Sequence, residues 1–239
     1  RLHSVITNGG KAPNIVPDLA EIWYYIRAPK IADVNDILKR LDKIAQGAAM
    51  ATETTVTQKV VSASSETLPN KVLCERMMVN MKRVGPPAFT EEDYAFAKQI
   101  NEQLTEAEKA GSLRMFGIND PAWGKKDLYD VIYENMNEGK ITPYSTDSGD
   151  VSWQAPMCQC FVASQTIGSK NHSWEQVVCS GMGIGHKGML CAGKIIAMTA
   201  LDILTDPDLL AAAKAEYDKV LETNEYVCPM PADMIPGAQ

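Results

Sequence analysis

The chain has 239 residues, with 23 Lys plus Arg against 30 Asp plus Glu, a formal net charge of −7, and 45% hydrophobic residues. That is enough for one large or two modest cored domains, and it excludes a disordered or fibrous chain. An acidic balance without a basic run disfavours nucleic acid and anionic membrane, and no apolar stretch reads as approaching the ~18–20 residues of a bilayer span.

The six cysteines are scattered and contain no CxxC, and with 12 methionines they point to buried thiols in a reducing compartment, hence a cytoplasmic location. Asn171-His172-Ser173 fits a glycosylation sequon, which matters only in a secreted protein. Arg1 stands in a strand-like run without a preceding Met, so the chain reads as a piece of something longer.

Leu2 to Thr7 is β-rich and ends at the turn signal Asn8-Gly9-Gly10. A second strand, Ala20 to Arg27, alternates Ile22, Tyr24 and Ile26 with Trp23, Tyr25 and Arg27. Pro29 stops it. A helix follows with Asp33 as its cap and Val34, Ile37, Leu38, Leu41, Ile44, Ala45 and Ala48 as one apolar stripe. A third strand is expected from about Thr54 to Ser62. Strand, strand, helix, strand is a ferredoxin-like α+β unit lacking its first strand and helix, spanning residues 1–68.

From residue 69 the pattern turns helical, with helices expected at Lys71–Lys82 and, capped by Thr90, at Glu91–Ala110. Residues 111–150 are loop-rich, with a short amphipathic stretch near Asp127–Asn137. Cys158 to Ser164 and Glu175 to Cys179 read as apolar strands. A Gly-rich turn, Gly181 to Gly188, opens an Ala-rich helix at about Met189 to Leu204, and Asp206-Pro207 starts the last helix. The tail from Cys228 reads as irregular.

Gly183-Ile184-Gly185-His186-Lys187-Gly188 fits G-x-G-x-x-G between a strand and a helix. A dinucleotide site needs a second strand after that helix, and another helix follows instead. The glycines then serve a sharp turn and close helix packing. Of the three histidines, His3 stands alone in a strand, His186 opens a helix, and His172 lies in a loop, the commoner place for a ligand. A single His cannot hold a metal without clustered partners. Ser145 to Asp150 reads as a turn and cap cluster, and Cys158 and Cys160 as small apolar groups on one strand face.

Three segments together carry a resemblance. Asn8-Gly9-Gly10-Lys11-Ala12-Pro13-Asn14-Ile15-Val16-Pro17-Asp18, followed by Tyr24-Tyr25-Ile26-Arg27, resembles the lid or dimerisation domain of the M20 metallopeptidases and aminoacylases. Asp147-Ser148-Gly149-Asp150-Val151-Ser152 and then Asn171-His172-Ser173 resemble the later catalytic-domain signatures of the same family, in its amidohydrolase branch. The resemblance implies an α/β fold: part of a ferredoxin-like lid over 1–68, then the C-terminal part of a zinc-peptidase-like catalytic domain over 69–239. It implies hydrolysis of small N-acyl or N-aroyl amino acids. Two divalent metal ions, zinc or manganese, are expected in the whole protein and not in this piece. His172 would be a metal ligand, and Asn14 and Arg27 would face the substrate from the lid. The general base and the other ligands belong to the family's first half, for which this chain has no counterpart, so no catalytic residue is expected here. A homodimer or heterodimer through the lid is implied. The rival expectation is a non-catalytic dimerisation and docking module.

Overall fold

The computed structural model describes residues 1–134, 139–142, 144–232 and 234. Among them the contacts form two units: Arg1–Leu68 with Tyr144–Gln154 and the described residues from Tyr226 onward, and the remainder from Pro69 to Glu225. The second domain expected from the sequence runs unbroken from 69 to 239, whereas two short returning segments group with the first unit.

The first unit is built on an antiparallel hairpin, β1 (Leu2–Asn8) and β2 (Glu21–Ile26). Leu2 faces Ile26, Val5 faces Trp23 and Ile6 faces Ile22, and the register shifts between Ile6 and Asn8. Period-two alternation puts Trp23 and Tyr25 on one face, ring centroids 5.4 Å apart. Helix α1 (Ile31–Ala51) follows. Its expected cap, Asp33, lies inside the first turn, and the cap residue Lys30 makes no side-chain bond. The free Ile31 N–H is satisfied from a distance, by Glu66 Oε2 at 2.9 Å. The expected third strand, Thr54 to Ser62, joins no sheet, and the only sheet among the described residues has two strands. Thr and Val favour strands because they fit a pleated surface beside a neighbour; where no neighbour is laid alongside, the preference goes unused. The ferredoxin-like order is therefore corrected to strand, strand, helix.

The second unit is helical: α2 (Lys71–Val84), α3 (Glu91–Asn101), α4 (Glu106–Met115), α6 (Trp174–Ser180), α7 (Gly183–Thr205) and α8 (Pro207–Leu221). The short α5 (Ser148–Ser152) belongs to the first unit. The single helix expected over 91–110 is two, because Thr105 and Glu108 form a fresh capping box. Glu175 to Cys179, expected as a strand, is helix α6, nucleated by the Ser173 cap. The described part of the 127–137 stretch is irregular, and residues 135–137 fall outside the described residues. Cys158 to Ser164 pairs in no sheet among the described residues.

Helix α2 is held by its neighbours' polar groups. Glu216 of α8 accepts from the Lys71 and Val72 N–H groups at 2.9 and 3.0 Å, and Asn70 donates to the Ala213 carbonyl at 2.8 Å. Buried Asn80 donates to Thr199 and Asp202 of α7. Three small cores lie around these helices: Met77 with Cys191 and Ile195; Ala97 with Leu128 and Ile184; and Leu113 with Ile118, Trp123 and Ile167.

Helix α7 begins six residues earlier than the sequence suggests, since the Gly-rich stretch is helical rather than a turn. The longer helix, Gly183–Thr205, has the length and apolarity of a membrane span, which corrects the expectation that no stretch reaches it. Its Lys187, Thr199 and Asp202 nevertheless bond to Asp93, Asn80 and Arg76, contacts suited to a protein neighbour.

Candidate functional site

Each unit holds part of the expected site. In the first, Asn14 lies exposed in the turn after β1, where the Ile15 N–H donates to the Ala12 carbonyl at 3.2 Å. Arg27 follows β2, half-buried, and its N–H donates to the Arg1 carbonyl at 2.9 Å. These two residues therefore sit toward opposite ends of the hairpin. The Arg27 guanidinium lies 5.9 Å from the Tyr25 ring centroid. A planar fork steadied on an aromatic ring suits a carboxylate.

The Asp147-to-Trp153 segment, which resembles a family signature, proves to be a clip within this first unit. Asp150 accepts from the Ser65 N–H at 3.3 Å and from the Tyr226 hydroxyl at 3.2 Å. Ser152 Oγ accepts from the Leu68 N–H at 2.8 Å, and Trp153 Nε1 donates to the Glu66 carbonyl at 2.8 Å. The turn reading holds at the start of the cluster, where the Ser148 N–H donates to Thr146 Oγ1 at 3.3 Å, while the Asp150 side chain reaches Ser65, 85 positions away. Gly149 lies so close that a Cβ there would stand 2.1 Å from the Ser65 carbonyl oxygen. Gly149→Ala should therefore cost about 3 kcal/mol by overpacking against backbone. A fall in the urea midpoint at unchanged m-value checks this; an unchanged midpoint would contradict the clip.

In the second unit, His172 is exposed in the loop before α6 with φ of 61°, a left-handed conformation uncommon for a residue with a side chain. The surrounding structure imposes it. The His172 N–H donates to Gln176 Oε1 at 2.8 Å, and Ser173 Oγ donates to the Lys170 carbonyl at 2.7 Å. Thr166 and Ser169 join hydroxyls at 2.6 Å in a buried position. Gly168, at φ 102°, packs where a Cβ would meet Lys109 and Leu104 of the preceding helical region. Lys170 Nζ lies 2.7 Å from Glu108 Oε1. Together these contacts present the imidazole from a rigid base.

The hydrogen bond from Lys170, joined by those from Thr105, holds the Glu108 carboxyl at about 2. A carboxyl lowered on folding stabilises the fold above its unfolded value, near 4.5, and that contribution is lost as pH falls through about 2. The protection factors of the amides in residues 170–173, corrected for the intrinsic pH dependence of exchange, should thus hold from pH 7 to 5 and fall between about 4.5 and 2. Glu108→Gln should remove that step; a step of the same size in the variant would assign it elsewhere.

Sequence reading missed Glu175. It is 7% exposed, and its Oε2 has no hydrogen-bond partner. The signal was available, since a Glu two residues after a Ser cap belongs to a helix's first turn. Among the described residues no three His, Cys, Asp or Glu side chains gather to hold a metal ion. The described donors alone therefore do not fit a metal centre. His3 lies exposed on β1 opposite Tyr25, and His186 is exposed within the first turns of α7.

The Gly-rich motif offers no phosphate cradle. A Cβ at Gly183, Gly185 or Gly188 would meet Asp93 Oδ1 at 2.4 Å, the Cys179 carbonyl oxygen at 2.6 Å, or that of Ala163 at 2.3 Å. Protein fills the space at all three glycines. Cys158 and Cys160 pack with Val162 against Met77, Cys191 and Ile195, and burial pushes the Cys158 thiol up to about 12. Cys158 should stay unmodified by a disulfide reagent at pH 8 while the exposed Cys228 reacts. Rapid labelling of Cys158, read by peptide mass, would contradict the packing.

Comparison with known proteins bears on what this assembly belongs to. No family model matches the chain. It is 38% identical to a subunit of the p-aminobenzoyl-glutamate hydrolase of Escherichia coli, over 99% of its own length and 51% of that protein's. The chain belongs to the M20 family. An M20 relative of another name, mouse Xaa-Arg dipeptidase, is 26% identical over 95% of the chain and 42% of that protein. N-acetyldiaminopimelate deacetylase of Leuconostoc citreum matches at 26% over 48% of the chain and 30% of that protein. All three names denote hydrolases. The chain spans about half the length of the curated M20 relatives it matches most fully.

Proposed function

We propose that the chain is one portion of an M20-type amidohydrolase that cleaves the amide bond of N-acyl or N-aroyl amino acids, with p-aminobenzoyl-glutamate as substrate. The observation that carries this is the 38% identity to the E. coli p-aminobenzoyl-glutamate hydrolase subunit across 99% of the chain. In this reading the first unit is the lid, and Arg27, with Asn14, binds a substrate carboxylate. The guanidinium resting on Tyr25 supports that role. His172 is one ligand of a centre of two divalent metal ions, zinc or manganese. The other ligands and the general base come from polypeptide outside this chain, because no group of three donors able to hold a metal gathers among the described residues. The proposal places the protein in the cytoplasm, as a homodimer or heterodimer through the hairpin unit, with neither nucleic acid nor membrane as partner.

A second reading, a non-catalytic dimerisation and docking module, is favoured by one observation. Both faces of the two-stranded sheet are exposed, and an isolated hairpin is marginal without a packing partner.

Assaying the purified chain with p-aminobenzoyl-glutamate, with and without added zinc or manganese, separates two parts of the proposal. No turnover is expected in either case. Clear turnover would place a complete catalytic set in this chain and overturn the assignment of the base and ligands to other polypeptide.

A further inference from the structure

The loop that presents His172 presents a second large side chain beside it. Ser173, between His172 and Trp174, has φ −120° and ψ 167°, an extended link. Its side chain turns inward: Ser173 Oγ donates to the Lys170 carbonyl at 2.7 Å and accepts from the Gln176 N–H at 3.5 Å. Its two neighbours stay exposed, Trp174 at 56%, which is the alternation of an extended chain. The Cα atoms of His172 and Trp174 lie no more than about 7 Å apart, the span of two extended residues.

Helix α6 continues the same division. Glu175 and Cys179, four residues apart, are buried on its inner side. Val177 and Val178, three and four residues beyond Trp174, are exposed on the side of the indole. The imidazole therefore stands at the head of an apolar surface that begins with an indole.

The other three of the four tryptophans are used within the fold. Trp23 packs on Tyr25, Trp123 on Tyr129 and Tyr133, and Trp153 on Tyr226, with ring centroids 5.4–6.1 Å apart. Trp174 has no ring contact among the described residues. It is held on a capped helix start, behind a loop fixed by Lys170–Glu108 and by the Gln176 bond to the His172 N–H. A rigid indole with a free face is suited to take a second aromatic ring.

We propose that Trp174 selects the acyl group, its indole packing against the aromatic ring of an N-aroyl substrate with Val177 and Val178 extending the surface. This rests on the reading of His172 as part of the amide-cleaving centre. In an aroyl amide the ring is bonded directly to the carbonyl carbon, so a surface that binds the ring must adjoin the group that meets the carbonyl. Trp174 adjoins His172 through one extended residue. Rings packed offset or edge to face gain more than the area they bury, and a short aliphatic acyl group offers neither the ring nor the area.

The test compares Trp174→Ala and Trp174→Phe with the unaltered sequence in the assembled M20 protein, on p-aminobenzoyl-glutamate and N-acetylglutamate. Trp174→Ala should lower kcat/KM about 10- to 100-fold on the aroyl substrate and less than about twofold on the acetyl one. Trp174→Phe keeps a ring and should restore most of the loss. Binding is read apart from catalysis in protein stripped of metal by a chelator. There the indole N–H resonance of Trp174, assigned by its absence from Trp174→Phe, should shift with p-aminobenzoate and stay in place with acetate. Equal losses on the two substrates, a Trp174→Ala protein that no longer assembles, or an indole resonance unmoved by p-aminobenzoate would overturn the proposal and assign Trp174 to a contact with polypeptide outside this chain. If neither amide is cleaved, the hydrolytic reading fails, and the indole shift still decides whether Trp174 binds the ring.

Discussion

Replacing His172 by Ala in the assembled M20 protein should lower amide hydrolysis by about a thousandfold or more and halve its bound metal, with the melting temperature nearly unchanged. The loss follows from the proposed role: a ligand withdrawn from a two-metal centre removes the Lewis acid and the activated water together. The unchanged stability follows from the structure, where the His172 side chain is exposed and the loop is held by its backbone, by Lys170–Glu108 and by the Thr166–Ser169 pair. Elemental analysis reads the metal directly. A His172→Ala protein with full metal content would return His172 to an ordinary surface residue. His172→Asn, which tolerates a positive φ, keeps backbone strain from being mistaken for ligand loss.

The second large effect concerns Arg27. If its guanidinium binds a substrate carboxylate, Arg27→Ala removes a charge-assisted hydrogen bond of ~1.5–3 kcal/mol, or roughly 10- to 150-fold in kcat/KM. That loss should fall on p-aminobenzoyl-glutamate and largely spare an analogue whose carboxylates are neutral amides. Arg27→Lys should recover only part of it, since an ammonium lacks the planar fork. Equal losses on both substrates, with a parallel fall in melting temperature, would instead mean that the Arg27 side chain serves the hairpin's stability through its contact with Tyr25.

Local periodicities were legible in the sequence, and long-range partners mostly were not. Strands β1 and β2 and helices α1, α2 and α8 follow from alternation, helical stripes and Pro207 at a helix start. The failures share a cause. The cap of α1 comes from Glu66 rather than the adjacent Asp33, because the bond spans 35 residues. Thr54 to Ser62 has strand composition but no strand beside it, and pairing is a property of two segments. Helix α7 contains four glycines, which normally weaken a helix, and three of them, Gly183, Gly185 and Gly188, stand in its first two turns. These three are tolerated because Asp93, the Cys179 carbonyl and the Ala163 carbonyl occupy the space a side chain would need. Of the proposed site, His172, Asn14 and Arg27 were singled out by motif order; the Ser173 cap marked Glu175 as a first-turn residue but not as a buried one, and the clip made by Asp150 and Ser152 required the fold.

The central claim is that this chain, completed by the other half of an M20 protein, hydrolyses a glutamate-tailed amide. Its most direct test is kcat/KM of that reconstituted protein on three substrates: p-aminobenzoyl-glutamate, a dipeptide ending in arginine, and N-acetyldiaminopimelate. The account predicts hydrolysis of p-aminobenzoyl-glutamate at least about tenfold above the other two, from the 38% identity to the E. coli hydrolase subunit. Preference for either of the others, or no hydrolysis by a stable, metal-loaded complex, would contradict it.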